Sequence, residues 1–187
     1  MSATAVVLFA HPSEENSKSG SSFADRVDEM ENVEVRRLYD LYPDFDVNIE
    51  REKAIWEAAD VVVLQHPFYW YSSPALVKEY LDVVLEYGWA YGPKGKALQG
   101  KSLQTVITAG GPEDAYRAGG YNKFSIEELL RPFEATANLC GMTYEPPLVL
   151  HGSNHLSEAE RTAFCDTYVD RINALLARHE ATAGKAA

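Results

Sequence analysis

Cysteine, basic residues and long apolar runs are all scarce in this chain. The two cysteines, Cys140 and Cys165, fall in helical patterns away from any motif. They read as small apolar side chains rather than a disulfide or a metal pair. Only 17 lysines and arginines stand against 28 aspartates and glutamates, a formal net charge of −11. No basic stripe exists to displace counterions, so nucleic acid is not an expected partner. No apolar stretch approaches the roughly 18 residues needed to cross a bilayer. Met1 to Ala10 has one short apolar run with no basic residue ahead of it, unlike a secretory signal. A soluble, cytoplasmic protein is expected. Neither G-x-G-x-x-G nor a Walker motif occurs, which argues against a dinucleotide domain or a P-loop. His151 and His155 are spaced like ligands but sit in a Gly/Ser/Asn loop without a third, so no metal site is expected.

What is present is a regular alternation. With 187 residues, 46% of them hydrophobic, the chain has material for one core. Short β-branched runs occur at Ala5 to Ala10, Val33 to Leu38, Val61 to Leu64, Leu103 to Ala109 and near Leu148 to Leu150. Near-continuous apolarity fits strands buried on both faces of a parallel sheet. Ser17 to Met30 and Arg51 to Ala59 read as helices. Another is expected to be capped by Ser73, with Pro74 at its first position, and to end at Gly88. Ser125 with Glu128, and Ser157 with Glu160, are capping boxes. Pro132 should interrupt the helix that begins at Ser125. Strands alternating with helices predict an α/β fold, a flavodoxin-like five-stranded parallel sheet of order 2-1-3-4-5 with helices on both faces. One domain is expected over residues 1–180, with a small polar tail over 181–187 that should fray.

In such a sheet the ligand crevice lies at the C-terminal ends of the strands. The loop after the first strand, His11 to Gly20, combines hydroxyls, Lys18 and a helix start. His11, Ser17, Lys18 and Ser19 are its candidate anion contacts. The loop after the third strand holds four consecutive aromatics, Phe68, Tyr69, Trp70 and Tyr71, behind Pro67. Strict alternation would push half of them into solvent, so they suit the walls of a flat ring or a dimer interface. The loop after the fourth strand, Thr108-Ala109-Gly110-Gly111, lets backbone N–H groups approach a ligand closely.

At these loops the sequence resembles the flavodoxin-fold NAD(P)H:quinone reductases, nearest to the KefF/KefG-type ancillary proteins of glutathione-gated potassium efflux. The resemblance lies in Phe9 to Pro12 (FAHP), Asp40 to Asp44 (DLYPD) and Gln65 to Asp82 (QHPFYWYSSPALVKEYLD). Gly88 to Gly92 (GWAYG) and Leu130 to Glu134 (LRPFE) extend it. It implies bound FMN, or FAD, with NAD(P)H as co-substrate and a quinone or similar electrophile as acceptor. It also implies a homodimer. By this likeness His11, Ser17, Lys18 and Ser19 lie near the flavin phosphate. Pro67 to Trp70 line the ring, Thr108 to Gly111 meet its pyrimidine side, and Tyr116 faces the acceptor. Asn122 stands about where larger relatives carry a histidine, so a histidine proton relay does not carry over. Gly20 stands where many relatives have Asn, and Ala109 replaces a second Thr. A regulatory subunit that docks on a potassium-efflux antiporter at the inner face of the membrane is the alternative. A one-electron carrier fits less well, because the first loop lacks the flavodoxin Thr/Gly pattern.

Overall fold

The computed structural model describes residues 2–17 and 19–186. Along the chain come β1 (Ala5–Phe9), α1 (Gly20–Asp28), β2 (Val33–Arg37), α2 (Leu38–Leu41), α3 (Ile49–Ala58), β3 (Val61–Pro67) and α4 (Ala75–Val84). They are followed by β4 (Ser102–Thr108), α5 (Ile126–Leu129), α6 (Arg131–Leu139), β5 (Thr143–Tyr144), β6 (Leu148–Leu150) and α7 (Glu158–Ala186). All strand pairs are parallel, in the order β2-β1-β3-β4-β5, with β6 also on β4. The expected order therefore holds, but its last position is shared by two short strands. Ser102 and Leu103 of β4 pair with β5, and Val106 to Thr108 pair with β6. Pro146 and Pro147 lie between the two and have no N–H to give a ladder.

Alternate residues of the central strands feed two cores. Val6, Leu8, Val62, Leu64, Leu103 and Ile107 pack with α3, α4, α5 and α6. Val7, Val61, Val63 and Val106 pack against Phe23 and Val27 of α1 and Tyr168, Ile172 and Leu175 of α7. Helices thus cover both faces, as period-two burial requires.

The edge of the first core holds a polar knot. Glu52 of α3 is fully buried, although it sits in a helix expected only from Arg51 onward. Arg36 Nε donates to its Oε2 at 3.0 Å and Arg36 Nη2 donates to Oε1. Tyr42 Oη also donates to Oε1 and Tyr80 Oη to Oε2, the latter at 2.7 Å. Trp56 Nε1 donates to Tyr80 Oη at 2.8 Å. Each charge has its partners, which is the condition for burying them.

Both capping boxes form, and α5 and α6 meet at Leu130–Pro132. Three expectations are corrected. Pro74, with an extended ψ of 152°, stands ahead of α4, so Ser73 does not cap it; Tyr39 Oη accepts from the Leu76 N–H at 3.4 Å instead. The same helix ends at Val84, and Gly88 (φ +89°) belongs to the turn that follows. The C-terminal segment, expected to fray from Ala181, continues α7 to Ala186.

Candidate functional site

A cavity of about 650 Å³ opens at the C-terminal ends of the strands. Its size suits a cofactor. Four loops build it.

The first, after β1, supplies His11, Ser13, Ser17, Ser19 and Gly20. His11 Nδ1 accepts from the Ser13 N–H at 3.2 Å, so the ring proton sits on Nε2. Burial lowers the His11 pKa, which keeps the ring neutral and a donor at Nε2. Ser17 Oγ accepts from the Ser21 N–H at 3.1 Å and holds the start of α1. Ser19 Oγ is buried and has no partner among the described residues. A Cβ at Gly20 would meet Ser17 Oγ at 2.9 Å and the Phe9 ring at 3.4 Å, which accounts for glycine there. Gln65 anchors this helix start. Its Nε2 donates to the Gly20 carbonyl at 2.7 Å, while its Oε1 accepts from Tyr168 Oη at 3.1 Å. Arg37 does not enter the cradle. It pairs with Glu14 and Asp25, with its guanidinium 5.6 Å over the Phe9 ring. Lys18 lies outside the described residues.

The second loop brings Pro67, Phe68 and Tyr69 to the wall. The Phe68 N–H donates to the Thr108 carbonyl at 2.9 Å and ties this loop to the third. Behind it, His66 is buried. A carbonyl only accepts, so its Nδ1, 2.9 Å from the Pro67 carbonyl oxygen, carries the proton. Burial holds its pKa down to about 4. Trp70 and Tyr71 follow with φ of +49° and +64°, and the Ser72 N–H donates to the Tyr69 carbonyl at 3.0 Å. Two successive left-handed residues make a type I′ turn from side chains that disfavour it. Trp70, 93% exposed at its tip, and Tyr71 stand outside the main cavity.

From the third loop, Thr108 and Gly110 line the cavity. Ala109 is buried behind it, and its N–H donates to the Leu150 carbonyl at 2.8 Å. Gly111 lies beneath two phenols: a Cβ there would meet Tyr121 Oη at 2.9 Å and the Tyr116 ring at 3.1 Å. The Gly110 and Gly111 N–H groups have no partner among the described residues.

The fourth loop, after β6, was not a sequence candidate. It brings Ser153 and Asn154 to the cavity. Its signal was available, because a Gly/Ser/Asn loop leaves the same sheet edge, but the histidine spacing drew attention to metal binding instead. His151, its Nδ1 buried and without a partner, lies 5.6 Å ring to ring from Tyr116.

Tyr116 and Asn122 occupy a neighbouring recess of about 230 Å³, which shares the Phe68 wall and includes Trp70, Tyr71 and Tyr121. Tyr71 Oη donates to Asn122 Oδ1 at 3.1 Å. Burial, then the neighbouring Tyr121 and Tyr71, raise the Tyr116 pKa, so its phenol stays protonated at neutral pH.

Fold and site together define a flavodoxin-like protein with a cofactor-sized cavity at the strand ends. Residues 3–176 match the Flavodoxin_2 family, described as a flavodoxin-like fold, and the chain belongs to that family. It is 42% identical to the uncharacterized NAD(P)H oxidoreductase YdeQ of Bacillus subtilis (strain 168), over 89% of this chain and 85% of that one. It is 40% identical to the glutathione-regulated potassium-efflux system ancillary protein KefG of Yersinia enterocolitica, over 92% and 94%. Among solved structures, general stress protein 14 of Treponema denticola in complex with FMN superposes with a TM-score of 0.85 at 37% identity, covering 92% of this chain and 99% of that one. An NADPH-quinone reductase of P. pentosaceus gives 0.83 at 33% identity, covering 90% and 96%. A protein named a thermophilic tryptophan halogenase from Streptomycin violaceusniger gives 0.87 at 44%, covering 89% and 97%.

Proposed function

We propose that this chain is an FMN-dependent NAD(P)H:quinone oxidoreductase. The carrying observation is the composition of the cavity. At one end Ser19 Oγ is buried, without a partner among the described residues, beside neutral donors from His11 and Ser17. At the other, Pro67, Phe68 and Tyr69 share the cavity wall with Gly110, whose N–H has no partner among the described residues. A flat ring with a phosphate tail satisfies both ends, and a buried hydroxyl without a partner is costly until something bonds to it. FMN in the Treponema relative and the names of the reductase relatives support the reading.

Bound there, the flavin supplies two-electron hydride chemistry. In sum, NAD(P)H, a proton and a quinone give NAD(P)⁺ and a hydroquinone. His11, Ser17 and Ser19 hold the phosphate, and Lys18 belongs with them by position in the loop. The aromatic wall excludes water. Tyr116 donates a hydrogen bond to the acceptor oxygen that gains charge, and Asn122 orients the phenols beside it. Trp70 and Tyr71 serve the acceptor side rather than the ring.

Two finer statements belong to the same proposal. The chain works as a homodimer, because Trp70, Tyr71, Tyr121 and Phe124 leave large exposed aromatics around the recess. Trp89 and Tyr91 contribute less, since both pack partly against the chain's own core. It acts in the cytoplasm. The KefG likeness is compatible with a second role, as the peripheral subunit of a potassium-efflux antiporter at the inner membrane face, and does not favour it over the reductase. No described helix is long and apolar enough to cross a membrane. The test is reconstitution with FMN and with FAD, gel filtration and the absorption spectrum. Retention of FMN with NAD(P)H-dependent quinone reduction supports the reading, and failure to retain either flavin overturns it.

A further inference from the structure

We infer that the recess beside the cofactor cavity selects uncharged flat acceptors and rejects anionic ones, an inference that rests on the proposed reductase activity. Phe68, Trp70, Tyr71, Tyr116, Tyr121 and Asn122 form its walls. The Phe68 ring meets Tyr71 and Tyr116 edge to face, at 6.5 and 5.9 Å between centroids. These walls present aromatic faces, three phenols and one carboxamide, and no ionisable group of opposite sign to an anion. Burial keeps the Tyr116 phenol neutral. On the far side of Tyr116 a shallow hollow is lined by Glu113, Asp114 and Arg117, two carboxylates against one guanidinium. Arg117 is turned to its own loop, its Nε donating to the Asp114 carbonyl at 3.1 Å. Lys123, next to Asn122, is exposed and lines neither hollow. The whole chain carries −11.

A quinone oxygen is satisfied by a phenol or a carboxamide. A sulfonate or carboxylate on the same ring loses its water and gains no cation. Desolvation thus acts on the anion alone, while ring stacking acts on both molecules equally. The specificity is built from what repels, and Asn122 sits where a single change of charge reverses it.

Two measurements test this. In the first, kcat/KM of the FMN-loaded protein is measured for naphthoquinone and for its sulfonate, each divided by its rate with free reduced FMN in solution. The corrected preference for the uncharged quinone is expected to be about tenfold or more, an anion having been desolvated without a partner. Asn122→Lys should shrink or reverse it, whereas Lys123→Ala should leave it unchanged. The second measurement needs no turnover. Naphthol and naphthalenesulfonate, which accept no hydride, are titrated against tryptophan fluorescence, with Trp70→Phe assigning the signal to the recess. Naphthol should bind at least about tenfold more tightly. Equal corrected rates, or equal binding of the two inert ligands, overturn the inference. If the protein retains FMN yet reduces neither quinone, the reductase reading fails, and the binding pair still decides the charge selection.

Discussion

Ser19→Ala separates a ligand-binding role from a structural one by the sign of two effects. Ser19 Oγ is buried and bonds to nothing described. It stands just ahead of α1 but makes no side-chain cap, so alanine removes no cap. The Ser22 hydroxyl donates to the Ser19 carbonyl at 2.9 Å, a backbone contact that the substitution keeps. A buried unsatisfied hydroxyl costs about 1–3 kcal/mol. In the flavin-free protein the variant should therefore be as stable as the wild type, or up to about 1–2 kcal/mol more stable. With FMN the sign reverses. A hydrogen bond to a phosphate is charge-assisted and contributes about 1.5–3 kcal/mol, so FMN affinity should fall roughly tenfold to a hundredfold. Urea unfolding of the flavin-free protein gives the first number and fluorescence titration with FMN the second. A destabilised flavin-free variant would show that the hydroxyl already has a structural partner. Unchanged FMN affinity would remove Ser19 from the phosphate site.

Tyr116→Phe should keep FMN but slow the quinone half-reaction about tenfold to a hundredfold, since one donor to the developing oxyanion is lost. Stopped-flow mixing of reduced protein with quinone measures it, and a wild-type rate removes Tyr116 from the chemistry. Glu52→Leu should cost about 2–4 kcal/mol of stability, because it leaves the buried Arg36 guanidinium with only the exposed Glu34, at 2.9 Å, as a carboxylate partner. Thermal and urea unfolding would show it, and a loss under about 1 kcal/mol would mean the knot carries little. His66 should shape the acid limb of stability. Its folded pKa of about 4 lies below the ordinary imidazole value of 6.5, so the unfolded chain binds the proton more readily. Stability should fall as pH drops from about 6.5 towards 4, by up to about 3 kcal/mol from this group. His66→Asn should flatten that limb, and an unchanged slope would assign it to other groups.

The central sheet was legible because its strands have little freedom. Val61 to Leu64 is apolar on both faces and Leu103 to Ile107 puts apolar side chains on each, around buried Gln104 and Thr105; only a parallel sheet between two helical layers buries both faces. The split at the sheet's edge was written in Pro146 and Pro147, but the two residues of β5 are too few for a periodic signal. Glu52 was illegible for another reason. A glutamate in an exposed-looking helix is buried here only because Arg36, Tyr42 and Tyr80, distant in sequence, converge on it. The same limit applies to the site. His11, Ser17, Ser19, Pro67, Phe68, Tyr69, Thr108 and Gly110 come together because strand order brings their loops to one edge. Trp70 and Tyr71 belong to the same loops but line the recess instead, carried there by a type I′ turn, and Gly111 is covered by two phenols.

That division explains how so acidic a chain can hold an anionic cofactor. Arg37, the described cation closest in sequence to the strand ends, is neutralised by Glu14 and Asp25 and fixes the loop instead of binding. The cradle then offers His11, kept neutral by burial, with hydroxyls and the start of α1. Such donors bind a phosphate through oriented dipoles, whose effect falls off more steeply with distance than that of a full charge. Beside Lys18, these neutral donors would therefore add to the hold on the phosphate without themselves drawing anionic acceptors into the recess beyond Phe68. Ser13→Lys should tighten FMN and, by the same reasoning, weaken the discrimination against naphthoquinone sulfonate by only a small factor, because Ser13 lines the cavity whereas Tyr116 lines the separate recess beyond Phe68. Measured together, the two changes decide whether cofactor affinity and acceptor charge are controlled separately. A parallel rise in both would show one electrostatic field serving the whole site.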